Sequence, residues 1–328
     1  MPARIGVIST APAVDRTHLV RELRPGTIHR PATVLARPGG KGFNVAHVLH
    51  TLGAEVTVAA PLAGASGRWQ AEQAGAHGLD VRPTWIPGEL RTCLSVFAEA
   101  DASLTEFYEP PLPVAQADWD RFVADALVAM ASADPELVAV SGKLPAGLAP
   151  DGLARLVAGL VAQGRFVALD ADGHGFGEAA AALPPDALLK VNAGEAAAWL
   201  GLTADTADTA DAADTADMGD TLVRAAKDAT RAGTVVVTMG RDGARAIGTD
   251  GAVWRLGTAP VSGHFPVGSG DAFLAGMLAA RAVGAGLVSQ LRLGAGAAAA
   301  NTEQPGAGIV GARRALLLAA QVPVTRPA

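Results

Sequence analysis

The chain has 328 residues, 50% of them hydrophobic, a net charge of −6 and a single cysteine, Cys93. That length suits one large α/β unit. The lone thiol excludes an intrachain disulfide and points to a reducing cytoplasm, while the acidic balance argues against a nucleic-acid partner. The N-terminus MPARIGVIST lacks the apolar core of a secretory signal, and no alanine-rich stretch reads as a membrane span.

In chain order, residues 16–37 are rich in Pro, Thr and charge and read as short strands without helices between them. The run Arg37-Pro38-Gly39-Gly40-Lys41-Gly42-Phe43-Asn44 then opens a helix expected to reach about Leu52. Its glycines allow close approach to a polar ligand, Lys41 supplies a cation, and Asn44 falls on the same side one turn later. Alone, this could equally be a turn carrying a solvated lysine. Residues 89–110 repeat the strand-only character, most clearly at Cys93–Ala98. The two excursions are expected to form a small β-sheet lid over one domain spanning 1–328.

From Leu137 onward the pattern changes. Leu137–Ser141, Phe166–Asp170, Leu188–Asn192 and Val235–Met239 are short runs that are apolar along most of their length, as strands buried on both faces require. Helical stretches such as Asp151–Gln163 and Thr221–Ala232 lie between them. This alternation predicts an α/β fold, a doubly wound and mainly parallel sheet flanked by helices. The tract 203–217 holds five aspartates and no base, so the remainder of the chain is nearly neutral. It lacks the glycines of an ion-binding repeat loop and reads as a solvated, low-complexity insertion.

The most informative segment is Pro266-Val267-Gly268-Ser269-Gly270-Asp271, followed by a helix expected to run to about Ala282. Glycines beside a helix N-terminus expose backbone amides at the positive end of its dipole, which makes an anion site. A carboxylate at the same place can take a proton from an attacking hydroxyl. In isolation, an Asp at such a position is more often a helix cap. A dinucleotide fingerprint is excluded because Phe273 stands where its third glycine belongs, and neither Gly-Lys pair has P-loop context.

Taken together, these segments resemble the PfkB (ribokinase-like) carbohydrate kinases, in their 1-phosphofructokinase and tagatose-6-phosphate kinase branch. The resemblance spans essentially the whole chain. It rests on Gly39–Ala46 with Leu52-Gly53, Arg91-Thr92, Tyr108-Glu109-Pro110, Ser141–Pro145, Lys190–Glu195, Thr238–Gly243 and Val267–Asp271, in family order. It implies phosphoryl transfer from ATP to a sugar or sugar phosphate, with Asp271 as base and the amides of Gly268, Ser269 and Gly270 as anion hole. Asn192 and Glu195 would organise Mg²⁺ through water. Lys190, Thr238, Gly240, Arg241 and Gly243 would line the nucleotide, and Asn301 would flank its base. Asp15, Gly39, Gly40, Lys41 and Asn44 would hold the sugar, and Arg91 would reach a phosphate already on it. The resemblance also implies a homodimer paired through the lid and allows a monovalent cation such as K⁺.

Departures from the family pattern fall mostly on the sugar side: Ala11 and Cys93 for Asn, Tyr108 for Asn, and Lys143 for Ser. Nearer the nucleotide, Val191 replaces Pro, and Phe265-Pro266 replace a polar residue and Thr. Lys143 reads equally as a second cation for a substrate phosphate or as a solvated loop lysine. Cys93 reads as a packing residue, and His47 and His50 as polar-face residues rather than metal ligands. The substrate therefore stays open between a phosphorylated ketohexose and an unphosphorylated sugar or nucleoside. A catalytically silent sugar-binding protein is the reading from outside the enzymes.

Overall fold

The computed structural model describes residues 2–202 and 212–326. Chain order begins with β1 (Arg4–Ser9), then β2 (Ala13–Val20), β3 (Thr33–Gly39) and helix α1 (Lys41–Thr51). Strand β4 (Glu55–Ala63), helix α2 (Gly64–Ala76) and β5 (Asp80–Ile86) come next, followed by β6 (Thr92–Ala98) and β7 (Ser103–Tyr108). The chain then alternates through α3 (Gln116–Ala133), β8 (Leu137–Lys143), α4 (Gly152–Ala162), β9 (Phe166–Asp172), α5 (Phe176–Ala181), β10 (Leu188–Asn192) and α6 (Ala193–Leu200). Helix α7 (Ala212–Asp228) leads into β11 (Thr234–Thr238), β12 (Ala244–Ile247) and β13 (Val253–Leu256). Helices α8 (Ser269–Ala282), α9 (Leu287–Thr302) and α10 (Ala312–Ala319) precede a last short strand, β14 (Val324–Thr325).

Ten strands form the main sheet, in the order β14-β13-β12-β11-β10-β9-β8-β1-β4-β5. From β5 to β11 neighbouring strands are parallel, and the β12–β14 edge is antiparallel. The four apolar runs marked in the sequence are β8 to β11. They need apolar residues on both faces because helices cover both. Along β8, Leu137 and Ala139 face a core shared with α1, α8, α9 and α10, while Val138 and Val140 face one shared with α3, α4 and α7. Helix α4 falls where expected. Helix α7 starts earlier than the expected Thr221 and stops at Asp228, before the chain turns at Gly233 into β11. The acidic tract lies outside the described residues except for its end, which opens α7.

The two strand-only excursions form a separate four-stranded sheet in the order β3-β2-β6-β7. Its register places Arg37, Asp15, Cys93 and Tyr108 side by side in one row across all the strands. Partners in register share a face, so these side chains project together. Among the described residues no helix is long and apolar enough to cross a membrane.

Candidate active site

Open parallel sheets bind ligands beyond the carboxyl ends of their strands. Here that edge carries Ser141 to Lys143 of β8, Asp170 and Asp172 of β9, Asn192 of β10 and Thr238 of β11. Facing it are the N-termini of α1 and α8. Both open on a glycine with positive φ, Gly40 at 83° and Gly268 at 79°. A Cβ on Gly40 would press on the Ala11 carbonyl, and one on Gly268 on the Gly308 amide, so the chain can pass there only as glycine.

Asp271 is not the cap of α8. Gly268 holds that position, and Asp271 sits within the first turn without bonding the helix's own amides. Its carboxyl is buried and accepts a hydrogen bond of 2.9 Å from Asn44 Nδ2. Burial pushes it up to about 7, Asp170 adds to the rise, and Lys190, Lys41 and Asn44 oppose it. A carboxyl of that value beside an anion site is suited to accept a proton near neutral pH.

The anion hole differs in detail from the expectation. The Ser269 amide donates to Pro266 O at 3.0 Å and closes the turn, and the first helical bond runs from the Ala272 amide to Gly268 O, so the amides of Gly270 and Asp271 precede the helix's own ladder. Lys190 lies beneath: its Nζ stands 2.7 Å from where a Gly270 Cβ would be, and it pairs with Asp170 at 3.0 Å. Lys190 is therefore buried under the loop rather than exposed to a ligand. The Asn301 side chain, expected to flank the nucleotide base, is turned inward. Its Nδ2 donates to Phe265 O, Val267 O and Ser269 Oγ, and its Oδ1 accepts from the Ile309 amide. With its hydrogen bonds used this way, it pins the 265–269 loop to α9.

Sequence reasoning missed Asp170 and Asp172. Lys41 Nζ contacts Asp170 at 3.3 Å, Asp172 at 3.4 Å and Glu195 at 2.7 Å. Burial alone would depress Lys41, but the three carboxylates hold its ammonium well above its usual value. Burial likewise works to raise Asp170, and Lys190 and Lys41 overcome it and keep its carboxyl low. The available signal was Asp-Ala-Asp at the carboxyl end of an otherwise apolar strand, since alternate residues share a face. Lys143, read equally as a substrate cation or a solvated lysine, ion-pairs with Asp172 at 3.0 Å.

Asn192 and Glu195 form a reciprocal capping box on α6: Glu195 N donates to Asn192 Oδ1 at 2.8 Å, and Asn192 N donates to Glu195 Oε2 at 2.9 Å. Glu195 Oε1 faces Lys41. Hard oxygen donors of this kind fit Mg²⁺ held through its waters. Among the described residues, no group of three or more His, Cys, Asp and Glu is arranged to bind a metal directly. Beyond β11, Thr238, the Gly240–Asp242 turn with the exposed Arg241, and Gly243 lie at the same edge of the sheet.

On the second sheet, Asp15 lies against Gly39, beside Gly40 and Asn44. Burial raises its carboxyl to about 6, against the pull of the Gly40 amide, Asn44, Arg91 and Arg37. Asn44 thus stands between the two carboxyls, Asp15 and Asp271. Burial pushes the neighbouring Cys93 thiol up to about 11, so it is an inert packing group. His47 departs from the expected polar face. It is buried against His77, with ring centroids 5.5 Å apart, and burial drives it down to about 3.

A sequence profile for pfkB family carbohydrate kinases matches residues 4–312. The chain is 32% identical to 1-phosphofructokinase of Rhodobacter capsulatus over 296 residues, covering 89% of this chain and 88% of the relative. Among solved structures it resembles phosphofructokinase-2 from Escherichia coli. The complex with potassium gives a TM-score of 0.82 at 23% identity, covering 97% of this chain and 98% of the other. The complex with fructose-6-phosphate gives 0.80 at 22% identity, with the same coverage.

Proposed function

The chain belongs to the pfkB family of carbohydrate kinases and is a sugar kinase; from that premise we propose that it moves the γ-phosphoryl group of ATP to a hydroxyl of a phosphorylated ketohexose, with Asp271 as general base. The observation that carries this reading is the buried Asp271 carboxyl in the first turn of α8, bonded by Asn44 and raised to about 7. The acceptor hydroxyl gives its proton to Asp271 as its oxygen bonds the γ-phosphorus, and the bond from that phosphorus to the β–γ bridging oxygen breaks. The loop amides and the α8 dipole stabilise charge on the transferring group. Mg²⁺, held through water near Asn192 and Glu195, would neutralise phosphate charge. Thr238, Gly240, Arg241 and Gly243 would border the nucleotide, and Lys41 and Lys190 would hold the floor of the crevice.

On the acceptor side, Asp15 and Asn44 would orient sugar hydroxyls and Arg91 would bind the phosphate already present. The relative named 1-phosphofructokinase and the phosphofructokinase-2 solved with fructose-6-phosphate support a phosphorylated ketohexose. The four-stranded sheet would act as a lid on the same domain, and its outer face would pair two copies of the chain. A cytoplasmic location belongs to the same reading. Because the Escherichia coli enzyme was solved with potassium, a monovalent cation is a variable for any assay.

The test is a coupled ADP-release screen over fructose 1-phosphate, fructose 6-phosphate, tagatose 6-phosphate, free hexoses, ribose and nucleosides. A phosphorylated ketohexose should give the highest kcat/KM, and Asp271→Asn should lower kcat at least ~10²-fold. Preference for an unphosphorylated acceptor would refute the substrate assignment. Near-normal turnover of Asp271→Asn would refute the base, and absence of any sugar-dependent ADP release would leave the silent binding protein.

A further inference from the structure

The cations around the crevice fall into two groups. Lys41, Lys143 and Lys190 are each ion-paired to carboxylates at the ends of the main sheet's strands or on α6. Arg37 and Arg91 are not. Among the described residues neither guanidinium forms an ion pair, and the Nε of each is buried without a hydrogen-bond partner. Buried donors of this kind are normally satisfied, so an unmatched pair on one wall of a site calls for an acceptor.

Their placement says where the acceptor belongs. Arg37 on β3 is the direct cross-strand partner of Asp15, on the same face of the sheet. Arg91 immediately precedes β6, and its carbonyl accepts a hydrogen bond of 2.9 Å from the Val14 amide, next to Asp15. Both arginines pull on the Asp15 carboxyl from opposite neighbours of β2. The Arg37 side chain runs past the Gly306 turn, where a Cβ would come within 3.8 Å of its Cδ. Lys143, read equally as a second phosphate cation or a solvated loop lysine, is paired with Asp172 at 3.0 Å.

We propose that Arg37 is a specificity-determining residue that, together with Arg91, clamps the phosphate carried by the sugar substrate between two guanidiniums flanking Asp15. The inference rests on the reading of the substrate as a sugar phosphate and adds to it a residue that no family motif marks. A forked donor suits the task because it can engage two phosphate oxygens in one plane.

The test uses the full-length enzyme and its Arg37→Gln and Arg37→Lys variants, with saturating ATP and the best sugar phosphate from the screen. Inorganic phosphate serves as a competitor of the sugar. For Arg37→Gln, KM for the sugar phosphate should rise ~10- to 100-fold and the phosphate inhibition constant should weaken in parallel, while KM for ATP stays within about twofold. Arg37→Lys, which keeps the charge but not the fork, should fall between; it carries the test if Arg37→Gln does not fold. An unchanged KM overturns the proposal. So does a raised KM with an unchanged phosphate inhibition constant, because Arg37 would then only support Asp15. A wild-type enzyme that turns over no sugar phosphate is a different result: it refutes the substrate reading and takes this inference with it.

Discussion

Two carboxyls in the crevice titrate near neutrality, and their signs make activity and stability oppose each other. Asp15 rises to about 6 and Asp271 to about 7, both from a usual value of 3.8 and both chiefly by burial. A raised carboxyl favours the folded state fully below its unfolded value, and that contribution is lost as pH rises through the folded value. The proposed mechanism needs the opposite form, an ionised Asp271 to take a proton and an ionised Asp15 to accept hydrogen bonds from sugar hydroxyls. With decreasing pH, kcat/KM for the sugar should therefore fall about tenfold per unit below about 7, and more steeply below about 6. The stability half is read in Asp271→Asn, which removes the ionisation. Its melting temperature should exceed that of the wild type by more at pH 8 than at pH 6, with the gap closing only towards pH 4, near the unfolded value. An equal gap at both pH values would mean that Asp271 is already ionised below pH 6.

At the scale of elements, what the sequence disclosed was what is encoded locally. Strands β8 to β11 were legible because each is a short apolar run between helical stretches, and α1 and α8 because glycines mark their openings. The Lys41–Asp170 contact joins residues 129 apart in sequence and leaves no local period to read. Nor could the direction of the Asn301 amide be read, since it depends on the 265–269 loop returning to α9. The row of Arg37 beside Asp15 likewise exists only once β2 and β3 pair. On the sheet's other face the same register pairs Leu94 with Phe107, and Val34 stands on the opposite edge strand, across Arg16 and His18 of β2. Phe107 and Val34 are 54% and 53% exposed, which is costly for side chains of that size in water. If this face pairs two copies, light scattering on the eluting protein should give twice the mass of one chain, and Phe107→Glu should reduce it to one. A wild-type mass of a single chain at micromolar concentration would rule the pairing out.

At the scale of the whole molecule, the acceptor and nucleotide halves meet through an aromatic contact between the two sheets' territories. Phe97 on β6 shares its face with Cys93 and lies 4.8 Å from the Phe265 ring and 6.0 Å from the His264 ring, by centroids. Those two residues are held by amide bonds of 2.9 and 3.1 Å to Thr302 O, next to the Asn301 side chain that pins the anion loop. The Phe265-Pro266 departure from the family pattern thus supplies the apolar surface that Phe97 packs against. Were the small sheet to close as the proposed lid, seating it and ordering the loop before Asp271 would be one event, and that would keep water from the γ-phosphoryl group when the sugar is in place. Aromatic pairs of this kind contribute ~0.5–1.5 kcal/mol beyond burial, so Phe97→Ala should lower the ratio of sugar phosphorylation to sugar-independent ATP hydrolysis roughly 2- to 10-fold. Phe97→Leu, which keeps apolar volume without the ring, should lose less. Measuring both ADP and sugar product in the same reaction gives the ratio directly. An unchanged ratio in Phe97→Ala would show that the small sheet and the anion loop act independently.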